Sequence, residues 1–452
     1  MQTQREFALF VVKKLRSAGY QALWAGGCVR DQLLGITPKD YDIATSALPE
    51  EVRKVFGKKE TLPLGAAFGV ITILPPKSSP KGTINLIEVA TFRTDGGYSD
   101  GRRPDTISFC NAEEDAKRRD FTINGIFYDP IAEKVLDYVG GQEDLAAQKI
   151  RAIGNPKERF AEDKLRIMRA IRFTTRFDFE LDPKTYNAIE TFVPDLLCVS
   201  FERITAELRE MFLHSNRAKA VSYLRKTKIL PLLFPHLAEV TEETWQQIVM
   251  VLKRLENPTF PLVLATLLRP LFEECFCQVV QQQERTPQRL DKILHNEQHK
   301  GRNPLINCKS EITTFCKKLK LSNAETQSTW YFLRSLPFVF AANKLDWPYF
   351  QPILLSKDAN HLLQYSQLIA TIEGKSARGA IEGINFCEGK LTQPAGVLDP
   401  PPLLVGADLI RLGLRPGPNF KHLLWQVRYR QLLHEITTAD QAIEYVKHII
   451  SN

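Results

Sequence analysis

The sequence has few of the features that mark disulfide-stapled, zinc-binding or membrane proteins. Its eight cysteines include no CxxC pair, and its eight histidines do not cluster at the spacing of zinc ligands. No apolar run approaches the roughly 18 residues that a membrane-spanning helix needs. Residues 1–19 carry apolar side chains at helical intervals, which is typical of an amphipathic helix rather than a signal peptide. These absences predict a soluble, cytoplasmic protein with reduced thiols and no membrane partner.

The chain is long and mildly basic. Its 452 residues exceed the roughly 250–300 that one hydrophobic core usually holds, so we expect more than one domain. Lys and Arg number 60 against 52 Asp and Glu, a formal charge of +8. This excess favours a polyanionic partner, although many soluble enzymes are equally basic.

The secondary-structure signals change in character along the chain. The first 140 residues mix helices with mainly antiparallel strands, and from residue 141 onward the strand signal nearly disappears. The pattern predicts an α+β protein, with a mixed-sheet head followed by an all-α region. The predicted strands are 22–25, 40–44, 69–74 and 85–92. The predicted helices are 5–18, 29–34, 158–176, 183–195, 200–214, 216–228 and 242–255.

Two aspartates in the stretch GGCVRDQLLGITPKDYDIAT, residues 26–45, carry the strongest chemical signal. Asp40 and Asp42 flank Tyr41 in a predicted strand, so both carboxylates face the same way, about 6.6 Å apart. Mg²⁺ would remove their repulsion, because it binds carboxylate oxygens and substrate phosphates. Glu88 in a later strand can supply a third carboxylate, or it can pair with Arg93. The alternative for the two aspartates is a pair of solvated acids at a strand end.

Glycines precede the helix that leads to these acids. Gly26 and Gly27 would let backbone N–H groups approach a phosphate at a helix N-terminus, and Arg30, one turn later, suits a phosphate oxygen. A simple tight turn explains the glycines equally well. Three acids that converge on two metal ions would suit phosphoryl transfer.

Three motifs resemble the class II tRNA nucleotidyltransferase and bacterial poly(A) polymerase family. The stretch GG-x-VRD-x-LLG-x-x-PKDYDIAT resembles the family's first motif, in which two aspartates bind Mg²⁺. RRDFTIN, residues 118–124, resembles the motif associated with the ribose, and EDKLRIMRAIRF, residues 162–173, resembles the motif that selects the incoming base. The predicted catalytic residues are Asp40, Asp42 and Glu88. The predicted nucleotide-binding residues are Gly27, Arg30, Arg119, Asp120, Asn124, Asp163, Arg166, Arg169 and Arg172.

The base-selecting motif makes physical sense on a helix. Asp163, Arg166 and Arg169 would share a broad polar face if one helix spans residues 158–176, because each residue turns about 100°. Asp accepts a hydrogen bond from an exocyclic amine and Arg donates to ring nitrogens or carbonyl oxygens, so the pair can replace a template base. Arg172 would reach the triphosphate. The alternative is a solvated helix with i,i+3 ion pairs, just as a local turn is the alternative for the RRD segment and Asn124.

The resemblance also implies the domain plan and the product. It implies a nucleotidyltransferase catalytic head at 1–140, a helical neck with the base-selecting motif at 141–215, a helical body at 216–375 and an RNA-binding helical tail at 376–452. The loop TDGGYSDGRRPD, residues 94–105, resembles the flexible loop of CCA-adding and A-adding members. We therefore expect CCA addition to tRNA from CTP and ATP, with a bacterial poly(A) polymerase or an A-adding enzyme as the alternative. Charged residues of the loop that could remodel the pocket between CTP and ATP are Asp95, Asp100, Arg102 and Arg103.

Two further expectations concern the helical region. Some members carry a metal-dependent HD-type hydrolase domain, but here PLVLATLLRP has Arg269-Pro270 where His-Asp would stand, so no second activity is predicted. Body and tail would bind the tRNA acceptor arm and 3′ end through phosphates and 2′-hydroxyls. A competing class, an inactive RNA-binding relative, is disfavoured because both aspartates are present; the oligomeric state is not predicted. Candidate basic segments, each of which also fits a solvated face, are 53–59, 317–320, Arg411, Arg415, Lys421, Arg428 and Arg430.

Overall fold

The computed structural model describes residues 3–76, 84–97, 106–283, 304–374 and 377–451. Asp100, Arg102 and Arg103 of the predicted loop lie outside these residues. The chain divides into two compact units, Met1–Leu233 and Phe234–Asn452. Within the described ranges, no helix has the length and hydrophobicity needed to cross a membrane.

The first unit is built on one mixed sheet. Its strand order is β3-β4-β5-β2-β1-β8-β9; β2 and β5 are parallel, and the other neighbours are antiparallel. Strands β6 and β7 form a separate hairpin, and β10 and β11 a short parallel pair. The predicted α+β head with mainly antiparallel strands is confirmed. The strands are β1 (Ala22–Ala25), β2 (Asp42–Thr45), β3 (Thr61–Gly65), β4 (Val70–Ile73), β5 (Ile87–Thr91), β6 (Arg93–Gly96), β7 (Thr106–Phe109), β8 (Ile126–Asp129), β9 (Lys134–Asp137), β10 (Lys149–Ile150) and β11 (Glu180–Leu181).

Helices surround this sheet and continue beyond it. Helix α1 buries Phe7, Val11 and Leu15 at helical spacing, and each such side chain contributes about 1.5–3 kcal/mol. The helices of the first unit are α1 (Gln4–Ser17), α2 (Gly27–Leu33), α3 (Pro49–Phe56), α4 (Ala112–Lys117), α5 (Gly141–Ala146), α6 (Pro156–Glu162), α7 (Leu165–Phe177), α8 (Pro183–Phe192), α9 (Phe201–Phe212), α10 (Arg217–Lys226) and α11 (Ile229–Leu233).

The predicted single helix over residues 158–176 is wrong, because the chain breaks between α6 and α7. Asp163 adopts an extended conformation, with φ −142° and ψ 104°. Its carboxylate accepts a hydrogen bond from the Leu165 N–H at 3.0 Å, a local bond that competes with a continuous helix and begins α7 instead. Asp163 therefore precedes the helix that carries Arg166, Arg169 and Arg172.

Helix α4 lies against the sheet through two alanines. Ala112 and Ala116 are buried in a cluster with Phe92, between β5 and β6, and with Phe127 of β8. A capping box begins the helix, since the Asn111 side chain accepts from the Glu114 N–H at 3.0 Å and the Glu114 carboxylate accepts in return. The close packing brings Arg119, which follows α4, against Phe127 of β8.

The second unit is helical throughout its described residues, which confirms the predicted all-α region. The predicted domain boundaries at 140, 215 and 375 stay predictions. Its helices are α12 (Glu242–Arg254), α13 (Phe260–Gln283), α14 (Pro304–Lys318), α15 (Asn323–Phe340), α16 (Trp347–Leu354), α17 (Ala359–Glu373), α18 (Ala377–Leu391), α19 (Ala395–Leu398), α20 (Gly406–Arg411), α21 (Pro418–Leu432) and α22 (Ala439–Ser451).

Candidate active site

Two predicted carboxylates lie side by side on neighbouring strands. Asp42 is the first residue of β2, and Glu88 lies in β5. Ile43 pairs with Val89 in the parallel register, so Asp42 lies beside Glu88. Because side chains alternate across a strand, the buried Ile43 and Val89 face the core while both carboxylates occupy the other face.

Asp40 is near this pair, but not in the strand predicted for it. It lies in a bend two residues before β2, where its Oδ1 accepts a hydrogen bond from the Asn85 side-chain amide at 2.8 Å. Tyr41 is buried between the exposed Asp40 and Asp42, so the predicted alternation of faces is observed. Among the described residues, no three His, Cys, Asp or Glu side chains already form a cluster that could hold a metal ion.

The electrostatics of Asp42 nevertheless fit a cation. Its carboxylate is accessible to solvent, yet protein atoms surround it and displace part of its hydration. This desolvation, with repulsion from Glu88 and Asp40, raises the pKa of Asp42 to about 6, although Arg119 opposes the shift. Crowded carboxylates whose charge is incompletely compensated are a suitable donor set for a hard divalent cation.

A glycine turn stands beside the acids. Gly26 has φ 69° and ψ −123°, a conformation that other residues rarely adopt, and its N–H donates to the Ile126 carbonyl at 3.2 Å. A Cβ at this position would lie 3.0 Å from Nη1 of Arg119. Gly27, the predicted phosphate contact, is the first residue of α2. The turn therefore brings the start of α2 and an arginine of the RRD motif together.

Arg30 points inward rather than toward a ligand. Its Nε and Nη2 donate to Oδ1 of Asp31 at 2.8 and 2.6 Å, and its Nη1 donates to Oδ1 of Asn124 at 2.6 Å. The guanidinium also lies 4.5 Å from the centre of the Phe177 ring. Arg30 thus ties α2 to α7 in this conformation, and its contact with phosphate stays a prediction.

Asp120 extends the connection to α7. Its Oδ1 accepts from the Asn124 amide at 3.1 Å and from the Phe121 N–H at 2.8 Å, while Oδ2 accepts from Nε of Arg169 at 2.8 Å. Burial raises the pKa of this carboxyl, but Arg169 and the two hydrogen-bond donors outweigh burial and lower the pKa to about 2. A continuous chain of hydrogen bonds results, through Asp31, Arg30, Asn124, Asp120 and Arg169.

Two of the predicted base-selecting residues, Asp163 and Arg166, are each held by a partner. Oδ2 of Asp163 accepts from Nη2 of Arg203 at 2.8 Å, and Nη1 of Arg166 donates to Oε2 of Glu162 at 2.6 Å. The Asp163 carboxylate still has free lone pairs, because a carboxylate offers about four acceptor positions. The solvated helix of the alternative interpretation is not observed, since the Arg166 side chain is only 10% exposed.

Sequence reasoning missed two residues on α9 that hold this region. Arg203 pairs with Asp163, and Glu207 lies 3.2 Å from Nε of Arg172, with its carboxylate largely buried. Burial raises the pKa of Glu207, and Arg172 and Arg169 oppose that shift. The sequence does carry a signal for them, because Arg203 and Glu207 are opposite charges four residues apart on an otherwise apolar helix face.

Comparisons with known proteins agree with this geometry. Residues 22–151 match the Poly A polymerase head domain, and residues 178–241 match the probable RNA and SrmB-binding site of polymerase A. The CCA-adding enzyme of Enterococcus faecalis is 45% identical over 208 residues, 46% of this chain and 49% of that protein. That of Lactobacillus johnsonii is 38% identical over 269 residues, 56% of this chain and 65% of that protein. Over residues 22–151 and 178–241 the chain is therefore similar to tRNA nucleotidyltransferases and poly(A) polymerases.

A solved family structure extends the likeness to the whole fold. The crystal structure of the Bacillus stearothermophilus CCA-adding enzyme with CTP superimposes with a TM-score of 0.69 at 25% identity, and the match covers 100% of both chains. At the level of sequence, this chain spans about half the length of the first curated relatives that it matches. The segment that matches the head domain, residues 22–151, contains the acids, the glycine turn and the RRD motif, whereas α7 follows this segment.

Proposed function

We propose that this protein is a template-independent nucleotidyltransferase that adds CCA to the 3′ end of tRNA from CTP and ATP. The observation that carries the proposal is the placement of Asp42 beside Glu88, next to a glycine turn. The hydrogen-bond chain through Asp120 connects that turn to the arginines of α7. The relatives named CCA-adding enzymes and the neighbour solved with CTP support the product and the substrate.

In this proposal Asp40, Asp42 and Glu88 hold Mg²⁺. A bound divalent ion would lower the pKa of the tRNA 3′-hydroxyl and neutralise the developing pyrophosphate. Asp42 and Glu88 are already adjacent, so their repulsion would be relieved on binding. Asp40 would join them after it exchanges its bond with Asn85, which is a modest change for an exposed side chain.

The remaining predicted residues would bind the nucleotide. Gly27 leaves room at the start of α2, and Arg119 provides a cation beside Asp42. Asp163 and Arg166 would present an acceptor and donors to the base. Arg169 is assigned to the base together with these two residues, ribose contacts are assigned to Asp120 and Asn124, and contacts with the triphosphate to Arg30 and Arg172.

The A-adding and poly(A)-adding alternatives differ from the proposal in their products. The names of the curated relatives favour CCA addition over poly(A) synthesis. A cytoplasmic location, the absence of a second hydrolase activity and RNA contacts by the tail stay predictions of the sequence.

The decisive experiment uses three tRNA transcripts that end before CCA, after C and after CC. The protein is incubated with Mg²⁺ and with CTP and ATP, separately and together, and products are resolved at single-nucleotide length. Completion of all three to CCA followed by a stop supports the proposal. Addition of one A to the CC-ending transcript alone would indicate an A-adding enzyme, and a long A ladder a poly(A) polymerase.

A further inference from the structure

Asp115 on α4 has a buried carboxylate and lies outside the three sequence motifs. Its side chain is 2% exposed, and each of its oxygens serves a different arginine. Oδ1 accepts from Nε of Arg118 at 2.8 Å, and Oδ2 accepts from Nε and Nη2 of Arg119 at 3.1 and 3.0 Å. A buried carboxylate with this many charge-assisted bonds determines the geometry of the groups that it holds.

The same carboxylate connects the arginines to the β6–β7 hairpin. Oδ1 of Asp115 accepts from the Arg93 N–H at 3.3 Å, at the first residue of β6. Asp95, also in β6, pairs with Arg93 at 3.1 Å and with Arg118 at 3.3 Å. Three guanidinium groups thus share two carboxylates, so these five side chains carry one net positive charge at the edge of the sheet.

Arg119 is the member of this group that faces the acids. Its Nη1 donates to the Asn124 carbonyl at 3.4 Å and lies against Gly26, where a Cβ would be 3.0 Å away. Its guanidinium lies 4.9 Å from the centre of the Phe127 ring. The contacts with Asn124 and Gly26 and with Phe127 restrict the Arg119 guanidinium on two sides, and the Asp115 carboxylate restricts it on a third.

We propose that Asp115 is a positioning residue that holds Arg119 at the glycine turn, where the cation meets the nucleotide, and connects it to the β6–β7 hairpin. The inference rests on the proposed function for the identity of the ligand. Without the carboxylate, Arg119 keeps one weak backbone bond, an aromatic contact and the attraction of Asp42, none of which fixes the orientation of its guanidinium. It would therefore sample other rotamers and bind nucleotide less often in the productive geometry.

The test is a double-mutant cycle in the full chain. Asp115→Asn keeps the side-chain shape but removes the charge, and it is made in the wild-type and Arg119→Ala backgrounds. Asp129→Asn is the matched control, because Asp129 is a buried aspartate of the same unit that accepts from Arg16 at 2.6 Å and from backbone N–H groups. CTP affinity by calorimetry, kcat and KM for CTP on a CCA-less tRNA, tRNA affinity and Tm are measured for each variant.

We expect Asp115→Asn to lower CTP affinity and kcat/KM about tenfold or more in the wild-type background, because charge-assisted hydrogen bonds are lost. In the Arg119→Ala background the same change should cost less than about twofold, and tRNA affinity should hold. Asp129→Asn should lower Tm without this loss. Equal losses in both backgrounds, or an equal loss in the Asp129 control, would overturn the inference. If the wild type extends no tRNA, that result would contradict the proposed function alone. The CTP affinities measured by calorimetry in the cycle would still test whether Asp115 positions Arg119.

Discussion

Asp120 holds α7 against the head, residues 22–151, and its removal should loosen that helix measurably. The carboxylate accepts from Asn124 and Phe121 on the head and from Arg169 on α7, and its side chain is only 10% exposed. A pKa lowered from 3.8 to about 2 corresponds to about 2.5 kcal/mol of stabilisation of the charged form. Asp120→Asn removes this stabilisation and leaves the partly exposed Arg169 guanidinium beside a neutral amide, so we expect a loss of about 2–3 kcal/mol.

The sign of the pH dependence follows from the lowered pKa. A carboxyl with a lower pKa in the folded state stabilises fully above its ordinary value of 3.8, and that contribution disappears as the pH falls toward about 2. The wild type should therefore lose this increment between pH 4 and pH 2, and Asp120→Asn should not. At pH 7 the variant should already lack it.

Hydrogen exchange of the full chain, measured by mass spectrometry, reports the local stability of α7 directly. A loss of 2–3 kcal/mol should accelerate exchange of the α7 amides roughly 30- to 150-fold at pH 7. Asp129→Asn serves as the control, because its pair with Arg16 lies on other elements and should leave α7 unchanged. Exchange in Asp120→Asn within about threefold of wild type would refute the idea that this carboxylate holds the helix on the head.

Three further predictions concern catalysis and the glycine turn. Asp42→Ala should abolish nucleotide incorporation while tRNA affinity, measured by filter binding, stays within about twofold; normal turnover would exclude Asp42 as a metal ligand. Asp163→Ala should relax the choice between CTP and ATP more than it weakens triphosphate affinity, and unchanged selectivity in a competition assay would count against base recognition there. Gly26→Ala should cost about 1–2 kcal/mol in thermal unfolding and most of the activity, because its Cβ meets an arginine. Gly35→Ala, at φ 71° with nothing within 4 Å, should show the stability loss alone.

The proximity of several predicted residues follows from signals that are local in the sequence. Burial alternates along a strand with a period of two, so Tyr41, Asp42 and Ile43 could be assigned to opposite faces from the sequence. The bend at Asp40 could not, because its bond with Asn85 joins residues 45 positions apart. Residue types therefore indicated which groups lie together, while their exact placement depended on distant partners.

The break before α7 shows another limit of periodicity. Ile167, Met168 and Ile171 are buried at helical spacing, and a two-residue interruption upstream leaves that pattern intact. The interruption follows from a single side chain, since Asp163 bonds to the Leu165 N–H. Arg30 was selected from its motif, but its inward orientation depends on Asn124, 94 positions later.

Arg30 leaves the ribosome beside Asp31, its ion-pair partner, but long before the groups that cover it. Asn124 and the rings of Phe173 and Phe177 are made much later, and chains fold from the N-terminus as synthesis proceeds. The nascent head therefore carries an arginine bound for its interior that lacks most of its native contacts until α7 is complete. A product truncated after residue 151 would expose that unfinished surface, so we expect proteolysis or aggregation rather than a smaller stable domain. The head and α7 must therefore both be synthesised before either reaches its stable fold, although the match to the head domain ends before α7.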